Sequence, residues 1–209
     1  MFRISSRDAR GFSLIELMMV VAIMGVLAAI AIPMSNNSIR FIKLSGDARD
    51  IANALAVTKM RAAAKFTFAR LYVDKTAKQY FIQTYNKTAS PAARFVTEGG
   101  VVSLASTVSF GFGPLTISPS TLTTIDQAPA CLTDPTPSVP VAVPIANTAC
   151  IIFNSRGIPI SDIINGNPYA AGAVYVTDGT SIYGVTVAAT GFIKTWQANY
   201  APSAPWTTQ

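Results

Sequence analysis

The chain reads as an α+β protein. It has a long N-terminal helix, transmembrane in its first half and amphipathic in its second, packed on an antiparallel β-sheet domain. Three observations predict this. An apolar run from Phe12 to Ile32 carries a single carboxylate, Glu16. Beyond it, Ile39, Ile42, Ile51, Leu55 and Ala62 recur at spacings near three and four. From Phe66 onward, aromatic and β-branched residues gather in short runs between turn residues.

The apolar run is long enough for a membrane, since a helix needs ~20 residues to cross a bilayer. A basic leader with Arg3, Arg7 and Arg10 precedes it, which favours a cytoplasmic N-terminus and an exported remainder. A charge in such a helix costs roughly 2.5–3.5 kcal/mol at the bilayer centre and less near an end, so Glu16 is a functional candidate by default. Were the chain cut after Gly11, a new amine at Phe12 would lie one turn from Glu16. Ammonium and carboxylate would then pair within one subunit or between stacked ones.

Helix formers continue past Pro33, with alanines dense from Ala48 to Ala64, so the helix is expected from Phe12 to about Lys65. Gly46 and Pro33 are its weak points, each able to bend it. Strands are expected over Phe66–Val73 and Gln79–Tyr85, around the turn 74–78. Arg94–Val96 and Val101–Leu104 lie either side of Gly99-Gly100, and Thr107–Phe112 is a further strand. Prolines then crowd residues 114–149, which read as a long exposed loop partly held by Cys131 and Cys150, or alternatively as a linker between two domains. Order resumes at Cys150–Phe153, followed by the turn Asn154–Pro159. A hairpin, Ala173–Thr177 with Ser181–Val187, follows, then a last strand, Phe192–Trp196. The tail 201–209 is expected to fray.

The string Gly11-Phe12-Ser13-Leu14-Ile15-Glu16-Leu17 resembles the processing site of type IV pilins and type II secretion pseudopilins. The resemblance implies cleavage by a prepilin peptidase between Gly11 and Phe12, N-methylation of Phe12, and an assembly role for Glu16. It also places Pro33 where many pilins have a helix-kinking proline. An ordinary signal anchor with a tolerated glutamate explains neither the Gly-Phe junction nor the position of the charge. A secretory signal peptide fits less well, its apolar region spanning only about 7–15 residues. The implied organisation is a leader (1–11), a transmembrane helix half (12–33), an amphipathic half (34–66), a periplasmic β-rich domain (67–200) and a tail.

Further along, the Phe153-Asn154-Ser155-Arg156-Gly157-Ile158-Pro159 turn and the strand Gly191-Phe192-Ile193-Lys194 resemble the GspH/FimT family of minor pseudopilins. This implies a pilin-like fold and a structural subunit of a type II secretion pseudopilus. The alternative is a FimT-like minor type IV pilin in pilus assembly or DNA uptake. Implied partners are other pseudopilins or minor pilins, the prepilin peptidase and the inner-membrane assembly platform. Some relatives bind DNA through a Gly-Arg-x-Arg motif. Here only Lys194 of that stretch is basic, a candidate for a weak DNA contact. Lys59, Arg61, Lys65 and Arg70, or the loops of Lys75, Lys78, Lys87 and Arg94, are the alternative DNA surface and read better as a solvated face, so nucleic acid is not an expected partner. A major pilin fits poorly, because strands follow the cysteine-bounded segment.

Composition excludes much chemistry. The 209 residues include 16 Lys/Arg, 10 Asp/Glu and no histidine. Removal of 1–11 takes away three arginines and Asp8, leaving 13 against 9, a net charge of +4. Without histidine there are no Ser-His or Cys-His pairs and no imidazole ligands. No phosphate-binding glycine loop occurs, so neither catalysis, cofactor nor metal is expected. In an oxidising periplasm Cys131 and Cys150 are expected to form a disulfide, which stabilises by roughly 3 kcal/mol and whose loss should loosen the loop more than the sheet. A two-cysteine metal site is the rival and would need several carboxylates.

Overall fold

The computed structural model describes residues 12–90, 93–134, 141–163, 166–169 and 172–209, with the side chains of 32–37 also outside the description. Gly11 and the rest of the expected leader lie outside the described residues, as does the side chain of Pro33, where a kink was expected. One helix, α1, runs Leu14–Ala64. The chain divides into a unit ending at Ile39 and a second unit, Arg40–Gln209.

In the first unit, α1 is apolar and long enough to cross a membrane over Leu14–Ala31, with its side chains exposed. In the second, Leu44, Ala48, Ile51, Leu55, Thr58 and Ala62 are fully buried. Their spacing alternates four and three, the period that keeps one stripe of a helix on a neighbour. At the lower end of the stripe Ile39 and Ile42 are exposed, as expected of a stripe too long for one small domain to cover. Burying each large apolar side chain stabilises by roughly 1.5–3 kcal/mol. Leu44, Ile51 and Leu55 therefore outweigh the propensity cost of Gly46 in the same stretch, about 1 kcal/mol. The helix ends at Phe66, which has φ 49°. There Thr67 N–H bonds Ala62 O at 3.1 Å, closing the last turn.

Among the described residues, ten strands follow in two antiparallel sheets. The first orders β3 (Phe95–Ser103), β2 (Gln79–Tyr85), β1 (Ala69–Asp74), β5 (Thr148–Phe153) and β6 (Pro159–Ile160). The second orders β10 (Thr207–Thr208), β9 (Ile193–Asn199), β8 (Ser181–Val187), β7 (Gly172–Thr177) and β4 (Ser109–Phe110). One core joins the α1 stripe to a face of each sheet: Leu71, Val73, Ile151 and Phe153 from the first, Val174, Val176, Val185 and Val187 from the second.

Two expected runs form one strand. β3 passes through Gly99-Gly100, and its register against β2 shifts between Tyr80 and Ile82, a bulge with Gly99 at φ 78°.

The Pro-rich segment is the main correction. Residues 114–149 were expected as an exposed loop; instead the described part is laid over the outer faces of both sheets. Leu115 is buried with Ala173, Tyr175 and Ile182, and Cys131 with Cys150, Ile152 and Ile160. Strands β5 and β7 are consequently buried on both faces. Proline removes ladder donors, so the segment meets its hydrogen bonds one at a time. Ala128 N–H donates to Ala173 O at 2.6 Å, and Pro129 O accepts Cys150 N–H at 2.8 Å. Two successive residues thus tie β7 of one sheet to β5 of the other.

The tail is a second correction. Instead of fraying, Thr207–Thr208 pair with β9, Ala204 is buried, and the Trp206 indole N–H donates to Ile117 O at 2.7 Å. A partly buried apolar ring with a satisfied donor, packed on the core, helps order a chain end.

Candidate functional site: the helix N-terminus and the basic residues

At the start of α1, Ser13 precedes the first helical residue and Glu16 occupies the third helical position. The Ser13 amide donates to Glu16 Oε2 at 3.0 Å, and Leu17 N–H donates to Ser13 O at 3.2 Å. This is half of a capping box, with the carboxylate also placed at the positive end of the helix dipole. The sequence reading assigned Glu16 to an amine partner and missed this role, although Ser-x-x-Glu is its spelling. Phe12 is 87% exposed. The geometry offers a hydrogen-bonded carboxylate beside an apolar N-terminal residue on an apolar helix.

Cys131 and Cys150 are joined in a disulfide, with Cα atoms 4.9 Å apart. No group of three or more Asp, Glu, Cys or His that would hold a metal occurs among the described residues.

The two glycines of the second resemblance meet each other. Gly157 (φ 73°) and Gly191 (φ 77°) lie in loops that converge on Lys59 of α1, whose Nζ donates to Gly191 O at 3.0 Å. A Cβ on Gly191 would sit 2.4 Å from Gly157 O, and one on Gly157 would sit 2.9 Å from Lys59 Cε. Backbone approach and left-handed conformation together require glycine here. Gly191→Ala is therefore expected to destabilise by about 2–4 kcal/mol, combining conformational strain with a backbone clash. A denaturant midpoint equal to that of the unaltered chain would refute this.

Several of the basic residues weighed as a DNA surface have partners within the domain. Lys194 Nζ lies 4.2 Å from the Trp196 ring centroid. Arg94 pairs with Asp134 at 3.0 Å, and Arg61 and Lys65 both pair with Glu98. Burial alone would raise the Glu98 carboxyl, but donation from Lys65 and Thr84 outweighs it and holds the group below its ordinary range. Arg70 is buried beneath the Phe95 ring, bonds Gln83 Oε1 and Leu132 O, and is lowered by desolvation to about 10. It anchors the Pro-rich segment to β1. Sequence reading took it as a surface charge, because strand alternation at the sheet's outer face does not reveal that a loop covers it.

Residues 6–32 match the family model described as the prokaryotic N-terminal methylation motif. This indicates a type IV pilin-like prepilin, a structural class of subunit that assembles with other pilins, and the α+β architecture agrees with a pilin-like fold. No curated protein and no solved structure matches the chain.

Proposed function

We propose that this chain is a minor pseudopilin, a structural subunit of a type II secretion pseudopilus. Its first helix half would be held in the inner membrane with the N-terminus cytoplasmic, and its two-sheet domain would be periplasmic. The observation that carries the reading is Glu16, hydrogen-bonded at the start of an exposed apolar helix that also supplies the core stripe of a globular domain. A carboxylate has room for more than one donor. With Oε2 taking the Ser13 amide, Oε1 is available to the ammonium freed at Phe12, on the same or a neighbouring subunit. Pairing there offsets the cost of charge in lipid.

Processing is expected between Gly11 and Phe12, with a methyl group added to Phe12. Intact-mass measurement on the membrane-extracted protein should show loss of residues 1–11 plus one methyl. A retained leader in cells with active prepilin peptidase would sink the reading. Deletion should abolish secretion to the medium while leaving surface pili intact. The opposite phenotype would favour the second reading, a FimT-like minor type IV pilin, which the Gly157 and Gly191 loops equally support.

A further inference from the structure

We infer that β3, with the cleft at the end of α1, is a docking site that takes an extended acidic segment of a partner protein as an added strand. The inference concerns the second unit alone and stands whether or not the anchor is processed.

Among the described residues, four strands close the two sheets: β3 and β6 in one, β10 and β4 in the other. Three of them, β4, β6 and β10, are two residues long, whereas β3 has nine. Short closing strands blunt a sheet edge; a long one left open is a template for another strand. Val96, Val101 and Val102 are exposed along it. Alternate residues of an antiparallel strand turn their backbone groups toward the neighbour. Asn86 N–H donates to Arg94 O at 2.7 Å and Leu104 N–H to Lys78 O at 2.9 Å, which sets the phase on either side of the bulge. Phe95 and Thr97 before the bulge, and Val101 and Ser103 after it, therefore turn their N–H and C=O groups off the sheet.

The cleft sets the chemistry of the added strand and selects the first stretch. It encloses about 420 Å³ and is lined by Lys65, Phe66, Tyr85, Lys87, Val96 and Glu98 among others. Two cations, Lys65 and Lys87, line the cleft against the one carboxylate of Glu98, which also pairs with Arg61 from outside it, and Lys87 has no ion pair among the described residues. The excess favours an acidic occupant. Phe66 is 81% exposed at a φ of 49°. A large apolar side chain held outward in left-handed backbone is an outlier that points to use. At the cleft rim it offers apolar contact to the segment. A nucleic acid would use the cations and the ring but not the strand-edge amides, so the whole set fits a peptide.

The test uses the mature full chain in detergent micelles. The probe is a fluorescent peptide of about eight residues, a strand's length, alternating valine with glutamate. Its controls are a valine–lysine counterpart and a single-stranded oligothymidine. The acidic peptide should saturate the protein below about 1 mM and bind at least about tenfold more tightly than the lysine peptide. It should slow amide exchange at Phe95 and Thr97. Thr97→Pro, which removes an outward N–H and leaves the β2 pairing in place, should abolish binding. Lys87→Glu, at an exposed position that cannot unfold the sheet, should weaken it about tenfold. Absence of saturation at about 1 mM, equal binding of both peptides, or indifference to Lys87→Glu overturns the proposal. Tighter binding of oligothymidine than of the acidic peptide overturns it in favour of a nucleic-acid surface.

Discussion

Glu16→Ala is expected to leave the two-sheet domain folded and the chain inserted, yet to cut its incorporation into the assembled filament by about tenfold or more, the scale of one lost charged contact. Removing the carboxylate takes away two things at once: the acceptor for the Ser13 amide and the charge. Loss of the helix cap alone costs about 0.5–2 kcal/mol and acts on the first turn only. Glu16→Gln separates the two contributions, because glutamine also serves at the third helical position of a capping box. If the charge pairs with the Phe12 ammonium, Glu16→Gln should fail in assembly as alanine does, while amide exchange at Ser13 stays slow. If the cap alone matters, Glu16→Gln should incorporate normally. Co-purification of tagged variant with assembled filament decides this, and wild-type recovery of the alanine variant would remove Glu16 from the assembly mechanism.

Where sequence and structure agree, local chemistry was sufficient to specify the element. β2 runs from Gln79 to Tyr85 as expected, because its aromatic and β-branched residues are bounded by polar turn residues. The β7–β8 hairpin is fixed by its turn: Asp178 Oδ1 accepts from the Thr180 and Ser181 amides, and Gly179 supplies φ 84°. The helix stripe was half legible. Ile51, Leu55 and Ala62 are in the core as their spacing implied, but Leu44 and the small Ala48, outside the expected stripe, are in it too. Small size at a close helix–sheet contact looks like mere helix propensity in a sequence. The Pro-rich segment was illegible for a different reason. Proline forbids a regular ladder but does not forbid burial, provided each exposed backbone group finds its own partner. Gln127 does this for Tyr175, accepting its N–H at 3.1 Å across 48 residues of chain. No local pattern announces such a contact. At the candidate site, the Gly11-Phe12-Glu16 string was read from resemblance, whereas the capping role of Glu16 follows from physical chemistry alone.

That buried segment changes what the disulfide is expected to do. With Cys131 and Cys150 bracketing an exposed loop, their loss should have loosened the loop more than the sheet. In the structure Cys131 is fully buried and Cys150 lies within β5. The Cys131 amide donates to Thr148 Oγ1 at 3.0 Å, and that hydroxyl donates to Ile145 O at 2.6 Å. Immediately before Cys131, Ala128 and Pro129 make the hydrogen bonds that join β7 to β5. The bond therefore restrains the strap between the two sheets. Cys131→Ala combined with Cys150→Ala is expected to lower unfolding stability by about 3–5 kcal/mol, the upper part of the range of about 2–5 kcal/mol for loss of a native disulfide. Restraint of the unfolded chain over a sequence separation of 19 accounts for roughly 3 kcal/mol of this. The remainder comes from the cavity left by two buried sulfurs and from weakening of the strap. Hydrogen exchange distinguishes the parts. If the strap argument is right, amides of β5 and β7 lose protection together, at a denaturant concentration where α1 residues 44–62 are still protected. Loss confined to residues 114–149, with β5 and β7 unchanged, would return the disulfide to the role of a loop staple.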